Sequence, residues 1–164
     1  MPQQSAGILL YRIRGDKPEV FLAHPGGPFY YHRDTSVWSI PKGLIEEDEK
    51  PLEAARREFR EETGFDVDGP FLDLGTVRLR SRKIVHAWAR EQDVDPGQLV
   101  SHTFTMEWPR HSGNTVEFPE MDRAAWFDME TARRKITPGQ IPFLDRLVKK
   151  LGPTLPGAAR PPSR

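Results

Sequence analysis

Cysteine is missing from all 164 residues, which removes disulfide frameworks and cysteine-based zinc sites from consideration. A net charge is missing too. Lys plus Arg and Asp plus Glu both number 24, so no global field draws the chain to nucleic acid or to a membrane surface, and an anionic partner must be held by a local site. No stretch approaches the ~20 apolar residues of a membrane span. The opening MPQQSAGILLYRIRG lacks a basic lead followed by a long apolar run, so no signal peptide is expected and the expected location is cytoplasmic. His24, His32, His86, His102 and His111 show no metal-ligand spacing and are read as structural. What remains is 37% hydrophobic and 29% charged, the make-up of one globular domain with a real core.

Strand-forming runs and helical segments alternate along this domain. Ala6–Arg14 and Val20–Ala23 read as paired strands around Gly15, Asp16 and Pro18. The loop PGGPFYYHRDT from Pro25 carries three aromatics, which either pack on the core or line a ligand cleft. A short strand is expected at Val37–Ile40, stopped by Pro41. Pro51 suits a first helical position and Gly64 the residue past the end, bracketing a helix over Leu52–Thr63. Further strands are expected at Phe71–Arg80, Lys83–Arg90, His102–Trp108 and Ala124–Phe127. Asp128 should cap a helix over Met129–Ile136, and Thr137 with Pro138 should open a last one through Lys150. The domain is placed at 1–152, and the proline-rich Pro153–Arg164 is expected to be a disordered tail. Strands interleaved with a few helices predict a mixed-sheet α/β sandwich.

On a helical wheel, Leu52, Ala55 and Phe59 form an apolar stripe that must be buried. Glu58, Glu61 and Glu62 fall on one flank; Arg56, Arg57 and Arg60 fall on the other. Glu58 and Glu62, four apart, repel by roughly 0.2–0.5 kcal/mol as bare neighbours. A solvated face with Glu53–Arg57 and Arg57–Glu61 pairs would be the ordinary outcome, and such pairs contribute little. The wider spacing argues otherwise: Gly43, Glu49, Arg57, Glu58, Glu61, Glu62 and Gly64, with Phe59 and Phe65, would coincide by chance about once in 10⁹ positions. Such a concentration of carboxylates calls for a positive partner, and a hard divalent cation is the natural one.

The segment GLIEEDEKPLEAARREFREETGF, Gly43–Phe65, matches the Nudix box at every defined position, and the chain therefore resembles a Nudix (MutT-like) hydrolase. The lead-in Trp38-Ser39-Ile40-Pro41-Lys42-Gly43 is similar to the W-x-x-P-K-G of dinucleoside polyphosphate hydrolases. The resemblance implies a Nudix-type α/β/α sandwich with a mixed β-sheet. It implies cleavage of the pyrophosphate in a nucleoside diphosphate linked to a group X, with Mg²⁺ or, as the alternative, Mn²⁺. It implies that Glu58, Glu61 and Glu62 are metal ligands, joined by a backbone carbonyl of Lys42 or Gly43, and that Glu49 and Arg57 brace loop and helix by pairing.

A general base is needed near the metal. The family analogy points to Glu120, six residues before Trp126, with Glu107 and Glu117 as rivals and Glu61 as the box alternative. Lys42, Arg78, Arg80, Arg82 and Lys83 offer phosphate contacts, against an ordinary exposed strand face as the other reading. Phe29, Tyr30, Tyr31 and Trp38 offer rings to stack a base. The expected partner is a small nucleotide, with diadenosine polyphosphates and nucleoside triphosphates as the named candidates. No membrane is expected. Nucleic acid is disfavoured by the zero net charge. A homodimer stays open by family analogy. The alternative function is a non-catalytic Nudix domain that senses a nucleotide.

Overall fold

The computed structural model describes residues 3–152. Its elements, in order, are β1 (Gln4–Arg14), β2 (Lys17–Pro25), β3 (Lys42–Leu44), α1 (Pro51–Thr63), β4 (Leu72–Arg78), β5 (Ile84–Glu91), β6 (Thr103–Glu107), β7 (Thr115–Pro119), β8 (Met121–Asp128), α2 (Met129–Lys135) and α3 (Ile141–Leu151). The main sheet has the order β4-β5-β1-β2-β8, with β3 added to β1. It is mixed, since β1 and β5 are parallel while the other pairs run antiparallel. The proline-rich tail lies outside the described residues.

Strand β1 sits at the centre and is buried on both faces, which is why its sequence is a near-continuous apolar run rather than an alternating one. Successive side chains still point to opposite faces. Ala6, Ile8 and Leu10 meet Ala54, Ala55 and Phe59 of α1 in one core. Leu9 and Tyr11 meet Ala132, Phe143, Leu144 and Leu147 beneath α2 and α3 in the other. The sheet is thus sandwiched between helices. Phe59, fully buried against Phe21, contributes about 1.5–3 kcal/mol by leaving water and fixes the rotation of α1 about its axis.

Helix α1 starts with Pro51 at its first position and ends at Gly64, whose N–H donates to the Arg60 carbonyl and whose φ of 82° then turns the chain out of the helix. Asp128 caps α2 by accepting from the Thr131 N–H at 2.7 Å. Three expectations need correction. Val37–Ile40 is not a strand; it keeps only isolated bridges, Ala23 to Ser39 and Trp38 to Ile136, because the Ile40 N–H donates to the Gln140 side chain instead. The last helix begins at Ile141 after a 3-10 turn at Pro138–Gln140. Strand β7, absent from the sequence reading, pairs with β6 as a separate two-stranded ribbon.

Candidate active site

The site is built where β3 and α1 converge beside the base of the β6–β7 ribbon. A cleft of about 720 Å³ is lined there by Lys42, Gly43, Glu58, Glu61, Glu62, Lys83, His102, Phe104 and Glu120, with Tyr30 and Gly26 at its side. The helical period of 3.6 places Glu58, Glu61 and Glu62 on one side of α1. Glu120 reaches the same cleft from the turn before β8. The main chain fixes it there: its N–H donates to the His102 carbonyl and its carbonyl accepts from the Gly26 N–H, both at 2.8 Å. The His102 N–H in turn donates to the Glu61 carbonyl at 2.7 Å, so the ribbon's base is tied to the acidic helix.

Gly43 is required by close approach. A Cβ there would stand 2.0 Å from the carboxyl carbon of Glu58, so the absent side chain is the space into which Glu58 leans. Arg57 organises the rest. Its Nε and Nη2 donate to Glu49 at 2.8 and 3.0 Å, its Nη1 to Glu58 at 2.8 Å and Glu61 at 2.9 Å, and its Nη2 also to the Leu44 carbonyl. The wheel set Arg57 on the flank away from the glutamates. It stands instead one turn before Glu61, and its side chain gathers three carboxylates onto one planar fork. Of the two ordinary pairs considered for this face, Arg57–Glu61 forms.

Electrostatics in the cleft are strained toward neutrality. Burial pushes the Glu62 carboxyl up to about 8, assisted by Glu58 and Glu120 and opposed by the Lys42 ammonium and backbone N–H. That N–H donates to Glu62 at 3.1 Å. Burial also raises Glu58, with Arg57 pulling the other way. Burial holds the Lys42 ammonium below the usual lysine range, and Lys83 adds repulsion. By contrast, hydrogen bonds from Arg57 keep the Glu49 carboxyl below its ordinary value.

Four carboxylates around one cleft form an all-oxygen donor set of the kind Mg²⁺ or Mn²⁺ takes. Burial is the first cause of the raised proton affinity of Glu58 and Glu62, and a cation beside them would favour their ionised forms. Among the described residues no three His, Asp or Glu side chains stand ready-made around a metal position, since Arg57 holds Glu58 and Glu61 and the Lys42 N–H holds Glu62. The chemistry of the donors fits a hard cation.

Other sequence candidates fall in different places. Lys83 lines the cleft, whereas Arg78, Arg80 and Arg82 are exposed around the β4–β5 turn. Glu107 accepts from the His111 and Gly113 N–H groups and closes the ribbon's tip, and Glu117 is exposed on β7; neither lines the cleft. Trp38 is only 4% exposed and packs edge-on against His24 and Phe127, with its Nε1–H donated to Asp34. It is a core residue, not a stacking platform. Phe29, Tyr30 and Tyr31 are exposed, so the aromatic loop does not pack on the core. Tyr30 borders the acidic cleft, and Tyr31 borders an apolar pocket next to it. The sequence reading missed His102 and Phe104 as wall residues; the shared face of Phe104, Met106 and Trp108 was the available signal.

Comparison with known proteins adds the following. The family model for the NUDIX domain matches residues 1–147. An RNA pyrophosphohydrolase of Gluconacetobacter diazotrophicus is 31% identical over 126 residues, 75% of this chain and 70% of that protein. One from Bartonella henselae is 33% identical over 117 residues, 61% of this chain and 63% of that protein. The chain spans about six-tenths of the length of the first Bartonella relatives it matches. Among solved structures, a Caenorhabditis elegans Ap4A hydrolase binary complex superposes with a TM-score of 0.65 at 22% identity, covering 91% of this chain and 98% of that one. The NUDIX domain of Shewanella oneidensis NrtR complexed with ADP ribose gives 0.64 at 14% identity, over 92% of this chain and 89% of that one. Both likenesses are of fold.

Proposed function

From the premise that this chain belongs to the NUDIX domain family, we propose that it is a divalent-metal-dependent hydrolase of the pyrophosphate linkage in nucleoside diphosphate derivatives. One observation carries the reading: Glu58, Glu61, Glu62 and Glu120 face a single cleft that also holds the ammonium groups of Lys42 and Lys83. Carboxylates alone would repel a polyphosphate. Carboxylates beside two lysines suit a cation and the anion it bridges.

In this account Glu58, Glu61 and Glu62 would hold Mg²⁺ or Mn²⁺, with a main-chain carbonyl of Lys42 or Gly43 adding an oxygen. When bound, the ion neutralises phosphate oxygens and makes a water more acidic. Glu120 accepts the proton of the attacking water as its oxygen bonds to phosphorus. The bridging P–O bond breaks, and the bridging oxygen leaves with the electron pair on the departing phosphate. Glu120 suits the role because its backbone is clamped at both ends while its carboxylate has no ion pair among the described residues. Glu61, the box alternative, is held by Arg57. Lys42 and Lys83 offset charge on the phosphates, and positioning with electrostatics supplies most of the acceleration. Glu49 and Arg57 position the helix against the loop and touch no substrate.

The substrate candidates are dinucleoside polyphosphates, as the lead-in to the box suggests, and nucleoside triphosphates. A second reading has its own support. Arg78, Arg80 and Arg82 are exposed beside Lys83, without an ion pair among the described residues, and curated relatives are RNA pyrophosphohydrolases. A 5′-triphosphorylated RNA end would therefore place its leading phosphates in the cleft and its backbone along this basic rim. The full carboxylate set argues against a non-catalytic sensor. The test is a panel of diadenosine tetraphosphate, nucleoside triphosphates, ADP-ribose and 5′-triphosphorylated RNA with Mg²⁺, with products followed by ³¹P NMR. Release of a nucleoside monophosphate or of pyrophosphate is expected from at least one. No phosphorus-containing product from any of them would overturn the reading.

A further inference from the structure

Beside the acidic cleft lies a second cavity of about 630 Å³, walled by Pro28, Tyr31, Trp108, Phe118, Pro119 and Asp122. Its walls come from the loop after β2 and from the β6–β7 ribbon. The two cavities are continuous along the chain. Gly26 and Glu120 line the acidic one, while their neighbours Gly27 and Pro119 line this one. The 2.8 Å bond from the Gly26 N–H to the Glu120 carbonyl holds the boundary together, and Phe104 stands over Gly27 at the same seam.

The cavity's chemistry is specific. It is mostly aromatic and proline, and its rim is left in water: Tyr31 is 62% exposed, and Phe29, outside the lining but edge-on to Trp108 at 5.5 Å, is 48% exposed. Two polar side chains, His32 and Asp122, interrupt this apolar wall. Asp122 has its Oδ1 2.8 Å from His24 Nδ1 and 3.5 Å from Arg123 Nη1, while its Oδ2 is buried with no hydrogen-bond partner among the described residues. A buried acceptor without a donor is costly. A flat apolar ligand would cover the rings by stacking. Concave, mostly aromatic pockets with one or two directed polar groups are the usual form of a small-molecule site.

We infer that this cavity is the nucleobase subsite of the enzyme, stacking the base on Trp108 or Tyr31. The inference rests on the hydrolase reading for the identity of the neighbouring phosphate site. It assigns recognition of the base to the ribbon and the aromatic loop rather than to α1. It also makes those two segments, and not the acidic helix, the determinants of which nucleotide is preferred.

Binding of AMP, GMP and ribose 5-phosphate to the full chain with Mg²⁺, measured by calorimetry, tests it. At least one nucleotide should bind tenfold or more tighter than ribose 5-phosphate, within the range one stacked base supplies. Trp108→Ala should erase that advantage and leave ribose 5-phosphate unchanged. Trp108→Phe should keep most of it, which separates loss of stacking from loss of fold. Equal affinity for all three ligands, or an undiminished nucleotide advantage in both Trp108→Ala and Tyr31→Ala, would overturn the subsite. Base-dependent binding in a protein that hydrolyses nothing would keep the subsite and refute the catalytic reading. Equal turnover of a nucleoside triphosphate and inorganic tripolyphosphate would refute the subsite alone.

Discussion

Replacing Glu62 with glutamine should stabilise the metal-free protein while removing its response to metal. Glu62 is 8% exposed, and its carboxyl titrates at about 8 against an ordinary 4.5. Below pH 4.5 the group is neutral whether the chain is folded or not. Between 4.5 and 8 the unfolded chain loses the proton first, so native stability falls as pH rises, and above 8 the loss levels off. At 1.36 kcal/mol per pH unit, the wild type forfeits about 3 kcal/mol near neutrality and about 5 kcal/mol at high pH, as upper limits that rearrangement around Lys42 reduces. Glutamine keeps the acceptor for the Lys42 N–H and never ionises. With about 2–4 °C of melting temperature per kcal/mol for a chain of this size, Glu62→Gln in chelator should melt several degrees above wild type at pH 8 and level with it at pH 4.5. Saturating Mg²⁺ should raise the wild type by about 2.7 kcal/mol at a hundredfold excess over Kd, and the variant by much less. Scanning calorimetry at three pH values decides it. A variant melting at or below wild type in chelator across the range would refute the strained-carboxylate reasoning.

Other outcomes follow from the same geometry. Gly43→Ala sets a Cβ into the Glu58 carboxylate; the far end of that side chain can swing away, so melting should move little while turnover falls tenfold or more. Arg57→Ala releases Glu49, Glu58 and Glu61 to repel one another and should lower stability by about 1–3 kcal/mol, part of it recovered with Mg²⁺ in urea unfolding. Arg57→Lys should not restore it, because an ammonium cannot make the paired bonds to Glu49. Trp38→Ala should cost about 3–5 kcal/mol as a core cavity, with substrate KM unchanged in whatever fraction stays folded.

Legibility followed the range of the interactions. Helix α1 could be read because its limits are local: Pro51 and Gly64 set the ends, and Phe59 with Ala55 sets the buried face. The adjacency of Glu58, Glu61 and Glu62 came from the same period. Arg57 was set on the opposite flank although it stands one helical turn before Glu61; its pairings with Glu61 and Glu49 were the part legible in the sequence. Trp38 could be read as a binding ring only while its surroundings were unknown; His24 and Phe127, fixed by distant strand pairing, put it in the core. Strand β7 alternates over only two apolar residues, Val116 and Phe118, and has no fully buried position, a pattern too short to announce it. With β7 went the apolar cavity, whose walls join residues 28–32 to residues 108–122 through tertiary contact alone.

The claim at the centre is that Glu58, Glu61 and Glu62 together hold a divalent cation. Titration with Mn²⁺, followed by the paramagnetic resonance signal of the free ion, measures this without any assumption about substrate. Wild type should remove at least one Mn²⁺ per chain from solution, and Glu61→Gln with Glu62→Gln should abolish that uptake in a protein that still melts cooperatively. Equal uptake by wild type and the double variant, or none by either, would contradict the account.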